Sequence, residues 1–234
     1  MSIKISFKKS TLKKTSTNLV LFVDGKFSAN SLKKYVSGSE FSYISDLLKT
    51  CDLSKKLLVF ELSSKKKIIL VSIKRDIGNS EIENLGAQLY GSINNGKKSE
   101  YFINSDSITI NKKNFIGYFL HGLKLKSYEF KKYKSKKEIR EISIKVLGKK
   151  NLLSSFDQLR FKALEEGTFY TRDLVSEPGN ILHPDEYAKR LQSLKKFGLK
   201  INVYDEKKLK KLGMNALLGV GQGSDKGSYL VTME

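Results

Sequence analysis

Through the first 150 residues, apolar positions either alternate with polar ones or run together for five or six places. SIKISF (2–7) alternates and NLVLFV (18–23) is a continuous run, and both patterns predict strands. LLVFEL (57–62) and KIILVSI (67–73) predict a second pair, joined by the polar turn SSKK at 63–66. Over 79–94 the period changes to that of a helix. Ile82, Leu85, Leu89 and Ile93 share one face, Ser80 is placed to cap it and Glu83 follows three residues on. SEYFIN (99–104) predicts a strand, and 111–123 a helix with Phe115, Phe119 and Leu123 on one side. REISIKVLG (140–148) predicts the last strand of a first α/β domain, residues 1–148.

The pattern beyond 148 is mostly helical. Residues 151–175 predict the longest helix, with Leu152, Phe156, Leu159, Ala163, Tyr170 and Leu174 as its buried stripe. It should end at SEPGN, because Pro178 and Gly179 cannot continue it. A second helix is expected from Pro184, with Tyr187, Leu191 and Leu194 inward and Gly198 as its stop. INVYD (201–205) predicts a strand, DEKKLKKLG (205–213) a short helix capped by Asp205, and SYLVTM (228–233) a final strand. Two strands are too few to make a covered α/β sheet. Residues 149–234 are therefore expected to be the truncated opening of a larger α/β domain.

Composition narrows the class. Of 234 residues, 39 % are hydrophobic, enough to exclude a disordered chain. The single cysteine, Cys51, excludes a disulfide framework and a multi-cysteine zinc site, and it suits an intracellular, cytoplasmic chain. The sequence has neither an apolar run long enough to span a membrane nor the apolar core of a secretory signal. Residues 1–150 hold 31 basic and 13 acidic residues, a net of +18, against +2 for the remainder. Such an excess draws anionic partners, weak nonspecific nucleic acid among them. KLKSYEFKKYKSKKE (124–138), with Tyr128, Phe130 and Tyr133 among its lysines, adds rings that could stack on bases. Only 5 of the 44 basic residues are Arg, so the same excess also suits lysines scattered over a solvated surface.

Candidate chemistry is sparse. His121 lies in an apolar helix and His183 before Pro184, and neither belongs to a metal motif. Gly91-Ser-Ile-Asn-Asn-Gly96-Lys97-Lys98 starts as a phosphate loop, but Lys98 stands where a Ser or Thr should hold magnesium. Gly219, Gly221 and Gly223 do not complete a dinucleotide fingerprint and read as a loop or a close backbone contact. The acidic pairs Glu165-Glu166, Asp185-Glu186 and Asp205-Glu206 sit where helix caps and exposed faces are expected. No catalytic, cofactor-binding or metal-binding residue is assigned.

One stretch is specific. TRDLVSEPGNILHPDEYAKRL (171–191) resembles the start of the catalytic domain of leucyl aminopeptidases, the cytosol aminopeptidase family. Arg172, Asp173, Leu174, Pro178, Asn180, Leu182 and Pro184 fill a pattern like RDL-x-N/E-x-P-x-N-x-L-x-P. YEFKKYKSKK (128–137), INVYDEKKLKKLGMNALLGVGQGS (201–224) and SYLVTME (228–234) are similar to further family segments, in order. The resemblance implies an N-terminal macro-like mixed-sheet domain followed by the start of a metallopeptidase domain. It further implies a homo-hexameric exopeptidase that uses two divalent metals, manganese or zinc, to release N-terminal amino acids from peptides. The family's metal-binding motifs, resembling VGKGxxFDxGG and NTDAEGR, do not occur here, so this chain alone is expected to bind no metal and to be inactive. The alternative reading is a free-standing basic module for nucleic acid or an ADP-ribose-like ligand.

Overall fold

The computed structural model describes residues 2–11, 17–93, 98–135 and 141–234. Its contacts divide the chain into two compact units, Met1–Phe169 and Tyr170–Glu234.

The first unit is built on a six-stranded mixed sheet. Its strands are β1 (Ser2–Lys8), β2 (Asn18–Asp24), β3 (Leu57–Ser63), β4 (Lys66–Ile73), β5 (Lys98–Asn104) and β6 (Glu141–Leu147). They lie in the order β1-β6-β5-β2-β4-β3, with every pairing parallel except the β3–β4 hairpin. Both faces are covered, which is why β2 reads as a continuous apolar run. Val20 and Phe22 point into one core with α2 (Asn79–Ile93) and α3 (Phe115–Lys126). Leu19, Leu21 and Val23 point into the other, with α1 (Gly38–Leu47) and a 3-10 turn over Ala29–Lys34.

Several local expectations need correction. Helix α1 was not anticipated, although Ser37 and Glu40 form a complete capping box at its start. Helix α2 begins at Asn79, so Ser80 lies inside its first turn. The Gly78 N–H donates to Glu81, while Glu83 is engaged elsewhere. Helix α3 starts at Phe115 rather than 111, behind Asn114, which adopts a left-handed conformation. Half of the phosphate-loop look-alike, residues 94–97, lies outside the described residues.

After β6 the chain is tied back to the sheet. The N–H groups of Lys149 and Lys150 donate to Asp106, and the Asn151 amide donates to the Ser105 and Ile108 carbonyls. Helix α4 (Ser155–Ser176) follows. Its expected buried stripe holds at the C-terminal end, where Leu174 is buried, and fails in the first turns, where Phe156 is 74 % exposed and Leu159 66 %. The face that makes contact is instead Asp157, Phe161, Glu165 and Phe169, spaced four apart and running beside α3. Asn114 donates to Asp157, and Phe161 lies over Gly117. Further along, Lys124 pairs with Glu165 and Tyr128 packs on Phe169. Two of those four contacts are polar, so a search for apolar periodicity selects the wrong side of the helix.

The second unit holds the end of α4, α5 (Pro184–Gln192), β7 (Ile201–Tyr204), α6 (Glu206–Lys211), α7 (Asn215–Gly221) and β8 (Leu230–Met233). β7 and β8 pair antiparallel in a sheet of two. The glycine-rich segment 219–224, expected as a loop or a close backbone contact, is helical through Gly221 at the end of α7, and a Cβ at Gly221 would run into the Ser228 hydroxyl.

Candidate functional site

The segment with the most specific sequence pattern, 171–191, folds as the last turns of α4, a loop and α5. Pro184 occupies the first turn of α5, where its missing N–H costs nothing, and His183 stands at the N-cap in extended conformation. Arg190 ties these parts together. Its Nη1 donates to Glu177 at 2.9 Å and its Nε to Glu186, one helical turn back, also at 2.9 Å. The Tyr170 hydroxyl donates to the Arg190 carbonyl at 3.2 Å. The bond from Arg190 holds the Glu186 carboxyl below its ordinary range, and both carboxylates raise the guanidinium. The Glu177 side chain is only 2 % exposed, so this ion pair is well shielded from water.

Replacing Arg190 with Ala strips a nearly enclosed carboxylate of its cation. It should cost this unit about 2 kcal/mol at neutral pH. Because Glu186 has its folded pKa depressed, the stability it contributes is present above the unfolded value, about 4.3, and is lost as the pH falls through the folded one. The penalty in a urea titration should therefore shrink below about pH 4.

Beside this clamp, Leu174, Leu182, Tyr187, Leu191 and Tyr229 line an apolar cavity of about 600 Å³. The Tyr229 hydroxyl bonds to Asp185, which raises the phenol above its ordinary range. His183 Nδ1 sits 3.5 Å from Asp185 but makes no hydrogen bond among the described residues.

The acidic pairs flagged in the sequence are each engaged locally. Glu165 pairs with Lys124 at 3.1 Å and Glu166 with Lys162 at 3.7 Å. Asp185 and Glu186 face Tyr229 and Arg190. Asp205 caps α6 through the Lys208 N–H, and Glu206 accepts the Ser228 N–H. Among the described residues, no three His, Cys, Asp or Glu side chains gather as a metal site. Cys51 is a half-buried thiol packed against the second core of the N-terminal unit. In the lysine-rich connection, Tyr128 packs on Phe169, Phe130 on Tyr133, and Lys131 pairs with Glu129; residues 136–138 of that stretch lie outside the described residues. No helix among the described residues is long and apolar enough to cross a membrane.

Arg190 was not singled out in the sequence. Its bond to Glu186 was legible there as an i, i+4 pair. Glu177, 13 positions upstream across a loop, was not.

The pattern, the helix–loop–helix it forms and the mixed sheet before it agree with known proteins. The model of the cytosol aminopeptidase family N-terminal domain matches residues 19–137, and that of the family's catalytic domain matches 169–234. The chain belongs to the cytosol aminopeptidase family. A probable cytosol aminopeptidase of Brucella suis is 32 % identical, over 98 % of this chain and 48 % of its own length. One from Phytoplasma australiense is 33 % identical over 69 % of this chain and 33 % of its own. A mutant of tomato leucine aminopeptidase has the same fold, with a TM-score of 0.74 at 16 % identity, over 99 % of this chain and 50 % of its own. A bottromycin maturation enzyme solved in complex with Mn gives a TM-score of 0.65 at 16 % identity, over 92 % and 44 %. The chain thus spans about half the length of relatives that match it nearly end to end.

Proposed function

We propose that this chain is the N-terminal portion of a leucyl aminopeptidase, a metal-dependent exopeptidase of the cytoplasm that removes N-terminal amino acids from peptides. On this reading, residues 1–148 are a macro-like domain and residues 149–234 begin the catalytic domain. The observation that carries it is the succession of two family matches, 19–137 and 169–234, in one chain.

The complete enzyme would use two divalent metals, manganese or zinc, to activate water for attack on the peptide bond. The residues described here do not fit such a pair. A two-metal site needs several converging carboxylates or imidazoles, whereas the paired carboxylates of this chain cap helices or hold cations. Its part would be structural: to shape and support a catalytic centre formed by other residues, within a homo-hexamer.

A chimera tests this. Residues 1–234 replace the matching part of the Brucella suis relative, and leucine-p-nitroanilide is offered with millimolar manganese. Hydrolysis is expected from the chimera and from the intact relative, and none from the 234-residue chain alone. A folded chimera that is inactive beside an active parent would overturn the assignment. Turnover by purified 1–234, after controls for contaminating peptidase, would overturn its inactivity.

A further inference from the structure

A cavity of about 530 Å³ lies wholly within the N-terminal unit, bordered by β1, α3 and α4. Ile5, Phe7, Leu120, Leu153, Leu159 and Phe161 supply its apolar wall. The charged side chains on its border are paired with one another, Lys124 with Glu165 and Lys162 with Glu166. His121, also on the border, is bonded to Glu83 on α2. The wall therefore offers mainly apolar surface.

β1 is the only strand that lends the cavity side chains, and β1 is the margin of the sheet. Its one neighbour among the described residues is β6, paired with it from Ser2 to Lys8. Its other edge faces no strand among the described residues. A free strand edge beside an apolar groove has the anatomy of strand addition. The edge supplies main-chain hydrogen bonds, and the groove takes alternate side chains of the incoming strand. Ile5 and Phe7, two residues apart and both on the cavity, would lie about 5 Å from those side chains.

The opposite face of the sheet indicates which strand. There, ion pairs link neighbouring strands in series: Glu100 on β5 with Lys145 on β6, then Glu141 on β6 with Lys4 on β1. The series stops at β1, where Lys4, Ser6 and Lys8 are all exposed. A second copy of β1 laid along this edge would bring its own lysines against them, and like charges on facing strands repel. A strand with carboxylates at alternate positions continues the series instead.

We propose that the outer edge of β1 docks an extended segment of a partner protein in which acidic residues alternate with branched aliphatic ones. The segment's main chain adds a strand to the sheet. Its aliphatic side chains enter the cavity between β1 and α4, and its carboxylates meet Lys4 and Lys8. Nothing in this proposal depends on peptide hydrolysis, and its failure would leave the family assignment standing.

The probe is a peptide of four Glu-Val repeats, acetylated at its N-terminus so that no exopeptidase can act on it, and labelled at its C-terminus. It is titrated with the 234-residue chain at low salt and followed by fluorescence anisotropy. Binding should be saturable, and hydrogen exchange should show the β1 amides that β6 leaves unbonded gaining at least about tenfold protection. A Glu-Glu-Val-Val peptide of the same composition lacks the alternation, and a main-chain N-methylated Glu-Val peptide lacks the donors. Each should bind at least about tenfold more weakly. Lys8→Glu, at an exposed position, should weaken Glu-Val about fivefold and strengthen a Lys-Val peptide as much. Leu159→Gln, at a position 66 % exposed on the cavity border, should weaken Glu-Val about threefold. Neither variant should lower Tm. No binding at millimolar peptide overturns the proposal. Equal binding of the reordered, N-methylated or Lys-Val peptide, unchanged exchange in β1, or indifference to either variant would each do the same. So would sedimentation showing that a second copy of the chain, and not the peptide, occupies the edge.

Discussion

Gly122→Ala should lower the stability of the N-terminal unit by about 4 kcal/mol, one of the largest losses a single methyl group can cause. Gly122 lies on α3, and a Cβ there would fall inside the backbone carbonyl of Glu83 on α2. The contact is reciprocal, because a Cβ at Gly86 would fall inside the carbonyl of Phe119. Two helix backbones touch at these two points, and neither neighbour is a side chain that could swing away. The helices must separate, and their separation opens the core that holds Phe22, Leu85, Phe119 and Leu123, each nearly inaccessible to water. For a unit of this size the loss corresponds to a Tm lower by about 10 °C. Gly91, also in α2, is the control. Among the described residues nothing lies within 4 Å of its would-be Cβ, so Gly91→Ala should stabilise by up to about 1 kcal/mol. If thermal unfolding shows the same effect for both substitutions, the close helix contact is not what decides the outcome.

Amide exchange should divide the chain nearly as sharply. Among the described residues, the unit Met1–Phe169 buries 36 hydrophobic side chains, whereas Tyr170–Glu234 buries four: Leu174, Ala188, Ile201 and Leu209. Four buried side chains leave only a small margin against the conformational entropy of ordering about 65 residues at roughly 1–2 kcal/mol each. Val220, Phe197, Leu212 and Met233 are meanwhile left facing solvent. The two-stranded β7–β8 sheet has no further strand beside it among the described residues, and isolated hairpins are marginal. Amides of β7 and β8 should therefore exchange at least about 100-fold faster than those of β2 and β4, through opening that leaves the large sheet intact. Equal protection of 201–204 and of 19–23 in a monomer would contradict this.

These two expectations mark how far the sequence could be read. Strands and capped turns carry their signal locally, which is why β2, the β3–β4 hairpin, Pro184 and the Asp205 cap are all found close to where the pattern puts them. The stripe of α4 misled because its inner face is partly polar. Asp157 and Glu165 turn inward only because Asn114 and Lys124 meet them there. Helix α7 is disguised by its glycines, and α1, whose one fully buried side chain is Ile44, carries little apolar periodicity, although its capping box is present in the letters. The His121–Glu83 bond joins residues 38 apart on two helices, so no spacing rule would reveal it. Nor could spacing reveal the strand order. The family signature at 171–191 was legible as a pattern of letters, while the shielded Arg190–Glu177 contact behind it needed three dimensions.

The pairing of β1 sets a timetable for synthesis. Its register joins Ser2 to Glu141 and Lys8 to Leu147, so the first strand made waits for the last strand of its sheet. At about 5–20 residues per second, that wait is on the order of ten seconds on the ribosome. During this time β2, β3 and β4 are all available to one another, and β1 has no native neighbour. Among the described residues it is still an edge strand in the finished sheet, with one side unpaired. Lys4, Ser6 and Lys8 are exposed along it, alternating with Ile3, Ile5 and Phe7, and charge of this kind is what discourages premature or intermolecular strand pairing. The lysines that make the N-terminal strand look merely soluble would then protect a nascent chain until its partner strand emerges.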